Sequence, residues 1–167
     1  MKKKDIIQIT AVIIICAVLI IAKPIMIAIV SGSSMEPTLI DKDVLLMYKY
    51  REPKKGDIVI VESPDSWKND NKLLIKRVVA APGDKLEIMN GQIFVNDRLV
   101  MNIESFYSNI PELHVTLNDS YFIKGDNTGN SVDSLFHYYI GDDSFLVNKE
   151  YVKYSKNGGD YKWEKTN

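Results

Sequence analysis

The residues best suited to chemistry in this chain are serines and a lysine in unusual surroundings. Ser31-Gly32-Ser33-Ser34 directly follows an apolar run that ends at Val30. A serine hydroxyl becomes a nucleophile when a nearby base takes its proton. The same segment fits a simple turn, because Ser33 and Glu36 have the spacing of a helix capping box and Pro37 suits a turn. The segment alone does not separate a nucleophile from a turn.

A candidate base is Lys76, which lies between the apolar run Leu73-Leu74-Ile75 and Arg77-Val78-Val79-Ala80-Ala81. Alternation along a strand places Lys76 and Arg77 on opposite faces, so we expect one of them to point inward. Burial lowers the pKa of a lysine amine and makes it a proton acceptor near neutral pH. The alternative is a lysine that reaches solvent from an edge strand or pairs with a carboxylate.

A third segment, from Gly125 to Ser134, is dense in small polar residues and ends a predicted strand. It fits a surface loop rich in side-chain turns. It equally fits a supporting shell, with a hydroxyl that orients the lysine amine and carboxylates that hold an arginine. A triad of Ser34, His137 and Asp133 can be drawn, but we expect His137 and His114 to be packed or surface residues.

The N-terminus differs from the rest of the chain. Ile6 to Ala22 is almost wholly apolar and follows Lys2, Lys3 and Lys4. Seventeen residues is about the shortest span that crosses a bilayer, and the lysines predict a cytoplasmic N-terminus. The expected organisation is a cytoplasmic segment 1–5, a transmembrane anchor 6–22 and an extracytoplasmic domain 23–167. A cleaved signal peptide is the alternative, although no A-x-A site follows the run.

Beyond Val30 the pattern becomes strand-like, with short runs separated by Gly, Pro, Asn and Asp. Asn90-Gly91 predicts a hairpin. No amphipathic helix separates the strands, so we expect a mainly β domain of antiparallel sheets or an open barrel. Trp67 is expected either at the membrane interface or in the core, and Trp163 is uninformative. The predicted strands are Val44–Tyr48, Asp57–Val61, Leu73–Ala80, Lys85–Met89, Gln92–Val95, Tyr121–Lys124 and Ser144–Val147, with irregular segments at 62–72, 102–118 and 155–167.

Charge and cysteine content exclude some functions. Removing the four lysines and one aspartate of the first thirty residues leaves 17 basic and 21 acidic residues, a net charge of −4. Such a domain is not expected to bind nucleic acid, which favours a basic patch. Cys16 is the single cysteine, so no intrachain disulfide can form. No Cys or His cluster has metal-ligand spacing, and we expect no metal or cofactor.

Taken together, the chain resembles the type I signal peptidases, in their short single-anchor Gram-positive form. The resemblance covers nearly the whole chain and follows the family's order of motifs. It implies a membrane-bound serine-lysine dyad protease that removes signal peptides from exported preproteins, with the lipid bilayer as a partner and the secretion translocon as a candidate partner. The motifs are Gly32-x-Ser34-Met35-x-Pro37-Thr38-Leu39, Gly56-Asp57-Ile58-Val59, Lys76-Arg77-Val78 with Pro82-Gly83-Asp84, Gly125-Asp126-Asn127, and Ser131-x-Asp133-Ser134.

The resemblance also implies a role for each matching position. Ser34 is the nucleophile and its backbone N–H the main oxyanion donor, with Gly32 where some relatives place an oxyanion-holding serine. Lys76 is the general base, and Ser131 orients its amine. Asp126 pairs with Arg77, and Asp133 and Ser134 give structural support. Shallow pockets for small side chains would be lined by Ile27, Ile29, Met35 and Val78.

Two segments depart from the family's pattern. Leu135-Phe136-His137-Tyr138 follows Ser134 where an arginine and then a glycine are usual, so Asp133 lacks an adjacent cation. Thr128 also replaces a common basic residue. These departures leave open a non-catalytic or locus-dedicated accessory factor for pilus or surface-protein assembly on the same scaffold. A soluble self-cleaving regulator with the same dyad is disfavoured by the apolar N-terminal run.

Overall fold

The computed structural model describes residues 3–22, 24–67, 73–103, 107 and 109–158. It begins with helix α1, Lys3–Ala22, of which no residue is buried in the protein. Among the described residues, α1 is the one helix long and apolar enough to cross a membrane, with a mean hydropathy of 2.7. Its length is about 30 Å, which matches the hydrocarbon core of a bilayer. The predicted apolar run lies within this helix, while Lys2 and Lys23 lie outside the described residues.

The rest of the described chain is mostly strand. One short helix, α2, spans Ser134–Tyr139. Single 3-10 turns cover Asp65–Trp67, Thr128–Asn130 and Lys149–Tyr151. The strands are β1 Ile25–Ile29, β2 Val44–Tyr48, β3 Ile58–Glu62, β4 Leu73–Ala80, β5 Lys85–Met89, β6 Gln92–Val95, β7 Arg98–Asn102, β8 Leu113–Thr116, β9 Ser120–Lys124, β10 Val147–Asn148 and β11 Val152–Lys156.

These strands form two antiparallel sheets. The larger sheet has the order β1-β2-β11-β3-β4-β9-β10, and the smaller has the order β7-β6-β5-β8. Each recorded strand pair is antiparallel, which confirms the expected mainly β fold of antiparallel sheets. At the predicted hairpin Asn90 and Gly91 have φ of 50° and 68°, the conformation for which this residue pair is suited.

Strand β3 separates two apolar cores, because successive side chains of a strand point to opposite faces. Ile58 and Ile60 pack in a cluster with β1, β2 and the segment that follows β1. Val59 and Val61 pack in a second cluster with β4 and β9. The smaller sheet and α2 enclose a third cluster. Strand β4 is thereby buried on both faces along most of its length.

The bounds of β2, β4, β5 and β6 are as predicted, and those of β3 and β9 differ by one residue. The predicted strand 144–147 is wrong except at Val147, where the short β10 begins. Strands β1, β7, β8 and β11 and helix α2 were not predicted. Strand β1 is a second apolar run, separated from the anchor by Lys23 and Pro24 alone, and β8 lies in the segment 102–118 expected to be irregular. The predicted tail begins inside β11, and 159–167, with Trp163, lies outside the described residues.

Candidate active site

A tight turn after β1 presents Ser34. The Glu36 N–H donates to the Ser33 carbonyl at 3.0 Å and the Leu39 N–H to the Met35 carbonyl at 2.9 Å. Met35 and Leu39 are buried against β2 and β3, so the turn is anchored by its apolar side chains. The Asn127 N–H donates to the Ser34 carbonyl at 3.0 Å. The turn is therefore attached to the segment that follows β9.

Lys76 reaches this turn from β4. Its side-chain nitrogen Nζ lies 2.9 Å from Ser34 Oγ and 3.2 Å from the Ile75 carbonyl oxygen. The residue is 3% exposed. Burial lowers the pKa of Lys76 below its usual value, and the nearby Lys124 charge also lowers it, whereas Asp133 and Asp126 raise it. An amine whose charged form is disfavoured, at hydrogen-bond distance from a hydroxyl, can act as its base.

Arg77 lies on the opposite face of β4 from Lys76 and is also fully buried. We expected one of these two cations to point inward, and the structure shows that both do. The Nε and Nη2 of Arg77 donate to the two carboxylate oxygens of Asp126 at 2.9 and 2.6 Å. Both side chains are 0% exposed. Nη1 donates to the Gly56 carbonyl at 2.7 Å. The bidentate pair fixes the loop after β9 to β4, immediately beside Lys76.

Asp133 begins helix α2. Its Oδ1 accepts the N–H groups of Leu135 and Phe136 at 3.1 and 3.2 Å, and its Oδ2 accepts that of Gly125 at 3.0 Å. The Ser134 hydroxyl accepts the Ile123 N–H at 3.0 Å. Backbone donors thus surround the carboxylate that lacks an adjacent arginine. The residues after Ser134 form a short helix that Asp133 caps. The backbone N–H groups of this helix take the place of the arginine as partners of the carboxylate.

Ser131 lies beside the dyad but does not hold the lysine amine. A Cβ on Gly125 would lie 2.2 Å from Ser131 Oγ and 2.5 Å from the Ser34 carbonyl oxygen, so these two residues enclose Gly125. Within the described part of the chain, the buried Ser131 Oγ makes no hydrogen bond. The orienting bond from Ser131 to Lys76 is therefore not formed in this structure, and the Ile75 carbonyl is the second partner of the amine.

Gly32 serves the turn before Ser34. Its φ is +89°, a conformation that favours glycine. Its N–H donates to Asp41 Oδ1 at 2.9 Å. That donor is already used, so Gly32 is not available to a developing oxyanion in this arrangement. Of the two residues that the sequence analysis connects with the oxyanion, Gly32 and Ser34, Ser34 is the one whose backbone N–H remains as a donor.

A cavity of about 420 Å³ lies between β1 and the start of β4. Ile27 and Ile29, both predicted to contact substrate, line it. Met35 and Val78, predicted with them, are instead buried in the apolar clusters and present almost no surface. The lining residues that were not predicted include Ser31 and the segment Leu73-Leu74-Ile75, which leads directly to Lys76.

The histidines belong to other parts of the structure. His137 Nδ1 lies 2.9 Å from Asp142 Oδ2, and its ring stacks on Trp67 with centroids 4.2 Å apart. Burial lowers the pKa of His137 although Asp142 opposes the shift. Trp67 is buried and donates to the Ser144 carbonyl, so of its two expected places, the membrane interface and the core, it occupies the core. His114 pairs with Glu87 in the smaller sheet. No Ser34–His137–Asp133 triad is formed.

Several contributors were not singled out from the sequence. Asn127 Nδ2 donates to the Ser33 carbonyl at 3.1 Å, and Asn130 Nδ2 donates to Ser33 Oγ at 2.7 Å. Lys124 is buried next to the loop that carries Asp126. A lysine at the end of an apolar strand is the same signal that marked Lys76, and it could have identified Lys124. Cys16 is exposed on α1. Within the described ranges, no three His, Cys, Asp or Glu side chains are grouped so as to hold a metal ion.

Comparison with known proteins gives one consistent result. The family model described as "Signal peptidase, peptidase S26" matches residues 3–153. The chain is 33% identical over 120 residues to a protein named probable signal peptidase I-2 of Synechocystis sp., covering 66% of this chain and 53% of that protein. It is 31% identical over 121 residues to signal peptidase I U of Bacillus subtilis, covering 64% and 63%.

The chain therefore spans between about half and two thirds of the length of these relatives. A crystal structure of a signal peptidase I from Enterococcus faecalis shares 19% identity and a TM-score of 0.42, with 64% of this chain and 97% of that chain covered, a likeness too low to support further argument. The family match extends over most of the sequence, from the apolar helix to β11. The chain belongs to the signal peptidase family, peptidase S26.

Proposed function

We propose that this chain is a membrane-anchored serine endopeptidase that cleaves signal peptides from exported preproteins. The observation that carries the proposal is the 2.9 Å distance between Lys76 Nζ and Ser34 Oγ, with the lysine 3% exposed. Family membership supports signal peptides as the substrate class.

In the proposed reaction, the neutral Lys76 amine accepts the hydroxyl proton of Ser34 as Oγ attacks the scissile carbonyl. The Ser34 N–H donates to the oxyanion that develops, an interaction worth about 3 kcal/mol per donor in other hydrolases. The lysine ammonium then returns its proton to the departing amine, which leaves an acyl group on Ser34. Water, deprotonated by the same amine, releases the acyl group and restores the enzyme.

The cavity beside β1 supports recognition of an extended substrate. Among the described strands, β1 pairs with β2 alone and stands at the edge of its sheet. An edge strand offers unpaired N–H and C=O groups to an incoming peptide. We assign the cavity to a small side chain next to the scissile bond and propose that Ala28, on the buried face of β1, lines its inner wall. Main-chain hydrogen bonds to β1 would then carry the peptide towards Ser34.

The membrane assignment rests on α1 and on the sheet face that follows it. Alternate residues of β1 and β2 are exposed, apolar and paired across the two strands. We propose that α1 spans the bilayer with Lys3 and Lys4 on the cytoplasmic side, and that domain 23–167 lies outside with this face against the lipid. Such an arrangement delivers the dyad to the surface where exported chains emerge from the translocon. The paired residues are Ile25 with Tyr48, Ile27 with Leu46, and Ile29 with Val44.

Cleavage of a preprotein in detergent tests the proposal. The variants Ser34→Ala and Lys76→Ala should each abolish cleavage, because one lacks the attacking oxygen and the other lacks the base. Matched controls are Ser66→Ala and Lys153→Ala, which remove exposed side chains that do not belong to the dyad. Wild-type rates in either dyad variant would refute the role of that residue. Binding of the preprotein without cleavage by the unmodified chain would favour the accessory-factor alternative.

A further inference from the structure

His137 is buried among contacts that the proposed reaction does not use. The residue is 3% exposed and lies in the last turn of α2. Its ring stacks on Trp67 with 14° between the ring planes, and its Nδ1 lies 2.9 Å from Asp142 Oδ2. Within the described part of the chain, the buried Nε2 of His137 makes no hydrogen bond. Burying a polar ring atom without a partner is costly, so the place of His137 in the fold needs a physical reason.

Four residues around this ring form a closed set of contacts. Asp142 binds His137 through Oδ2 and accepts the Ser144 N–H through Oδ1 at 2.8 Å. The Ser144 carbonyl accepts the Trp67 Nε1–H at 2.9 Å, and Trp67 stacks on His137. We call Trp67, His137, Asp142 and Ser144 the histidine cluster. The cluster joins the turn Asp65–Trp67, which lies between β3 and β4, to helix α2.

Helix α2 depends on contacts of this kind. A helix of six residues is far shorter than one that is stable by itself in water. Its first turn is held by the Asp133 cap and by the Ser134 hydroxyl, which accepts the Ile123 N–H of β9. Its last turn contains His137, whose own N–H donates to the Asp133 carbonyl at 3.0 Å. The histidine cluster therefore fixes the end of α2 that the cap does not reach.

The start of α2 is connected to the nucleophile by short contacts. Asp133 Oδ2 accepts the Gly125 N–H at 3.0 Å. Gly125 lies against the Ser34 carbonyl, since a Cβ added to this glycine would be 2.5 Å from that oxygen. The Asn127 N–H donates to the same carbonyl at 3.0 Å. The position of Ser34 therefore depends on the loop 125–133, and the position of that loop depends on α2.

We propose that His137 is a positioning residue of the peptidase reaction, which holds α2 on Trp67 and thereby keeps the loop 125–133 against Ser34. This inference rests on the proposed function, since it assigns to His137 the placement of that reaction's nucleophile. His137 acts through Asp133 and Gly125, and its ring contacts Trp67 and Asp142.

The first test is preprotein cleavage by the full chain in detergent, at a temperature where circular dichroism shows each variant folded. His137→Leu removes both the stack and the bond to Asp142. A displacement of about 1 Å at the reacting atoms can cost about a hundredfold in rate, so kcat should fall about tenfold to a hundredfold. KM should change much less, because the cavity beside β1 is untouched. A folded His137→Leu protein with an unchanged kcat would overturn the proposal.

Two further variants show whether the ring itself matters. His137→Phe keeps an aromatic ring on Trp67 and should recover part of the lost kcat. His114→Leu is the matched control, because it replaces the histidine of the smaller sheet, whose side chain is 54% exposed. It should cleave at the rate of the unmodified chain. A loss of kcat in His114→Leu as large as that in His137→Leu would contradict a specific role for the histidine cluster.

The second test asks whether His137 acts through Trp67. Substitutions in contact, which remove one shared interaction, have non-additive effects. Trp67→Leu with His137→Leu should therefore lower kcat little more than the worse of the two single variants. Losses of kcat that multiply in the double variant would contradict a shared role.

The third test needs no cleavage and uses a mild variant. Trp67→Phe keeps a ring but removes the Nε1 donor to Ser144, and amide hydrogen exchange of the full chain is followed by NMR in detergent. Protection of the Gly125 and Asn127 N–H groups should fall by about twofold to tenfold, the effect of one lost hydrogen bond. Amides of β5 and β6 should keep their protection. Unchanged protection at Gly125 and Asn127 would refute the inference.

The exchange measurement also separates this inference from the proposed function. An unmodified chain that does not cleave preprotein would refute the peptidase assignment. Exchange at Gly125 and Asn127 would still decide whether the histidine cluster holds the loop against Ser34, because no substrate is present.

Discussion

The buried pair of Arg77 and Asp126 gives the sharpest stability prediction. Asp126→Asn preserves the shape of the side chain but removes its charge, which leaves the fully buried guanidinium of Arg77 without compensation. Removing one partner of a buried ion pair costs about 3–5 kcal/mol, because the remaining charge stays desolvated. For a domain of this size each kcal/mol lowers Tm by about 2–4 °C. We therefore expect Tm to fall by about 6–20 °C.

The assay is thermal unfolding of the full chain in detergent, followed by circular dichroism. Glu62→Gln is the matched control, because Glu62 forms an ion pair with Lys153 in which both side chains are 40% or more exposed. Exposed pairs contribute about 0–1 kcal/mol, so this variant should unfold near the original temperature. Replacing Arg77 and Asp126 together by Met and Leu should recover much of the loss, since an apolar pair leaves no uncompensated charge. Equal Tm values for Asp126→Asn and Glu62→Gln would refute the reasoning.

Three further outcomes follow from the site. Gly125→Ala should abolish cleavage, because the added carbon would meet Ser131 and the Ser34 backbone at 2.2–2.5 Å, whereas Gly129→Ala enters open space and should retain activity. Cleavage should decrease about tenfold per pH unit below the lowered pKa of Lys76, because protonation removes the base. Ala28→Leu should raise KM for preprotein more than it lowers kcat, because it narrows the cavity without replacing either member of the dyad.

Each of these outcomes has a clear contrary result. Cleavage by Gly125→Ala at the rate of Gly129→Ala would show that the loop does not need to approach Ser34 closely. A cleavage rate independent of pH through the acid range, with the protein still folded, would remove the Lys76 amine from the mechanism. An unchanged KM for Ala28→Leu would mean that substrate does not occupy the cavity beside β1. The control for that variant is Ala17→Leu, at an exposed position on α1.

The larger part of the sheet architecture could be predicted because its strands are bounded by turn residues. Strands β5 and β6 are examples, since Asn90-Gly91 between them specifies both the turn and the register Met89 with Gln92. Strand β1 is as apolar as the anchor and is separated from it by Lys23 and Pro24 alone, so its strand conformation depends on its pairing with β2. Helix α2 is six residues long and aromatic, so its helical state comes from the Asp133 cap and packing, not from propensity.

The resemblance predicted that Ser34 and Lys76 lie close together. The contacts that hold them in place could not be predicted from the sequence and are seen in the structure. A serine and a lysine 42 positions apart meet because β4 is buried on both faces and the turn after β1 is anchored by Met35. Strand alternation predicted that one of Lys76 and Arg77 points inward, but not that both are buried. The resemblance also placed Met35 and Val78 at the substrate, because a sequence does not reveal whether an inward side chain meets a core or a cavity.

The most direct test of the central claim is to trap the acyl-enzyme. A preprotein reaction is quenched in acid within one turnover, and the digested protein is analysed by mass spectrometry. We expect the signal-peptide acyl group on Ser34, and no adduct when Lys76 is replaced by Met at neutral pH. An adduct on Ser31 or Ser33, or one that forms equally well without the lysine amine, would contradict the serine-lysine dyad.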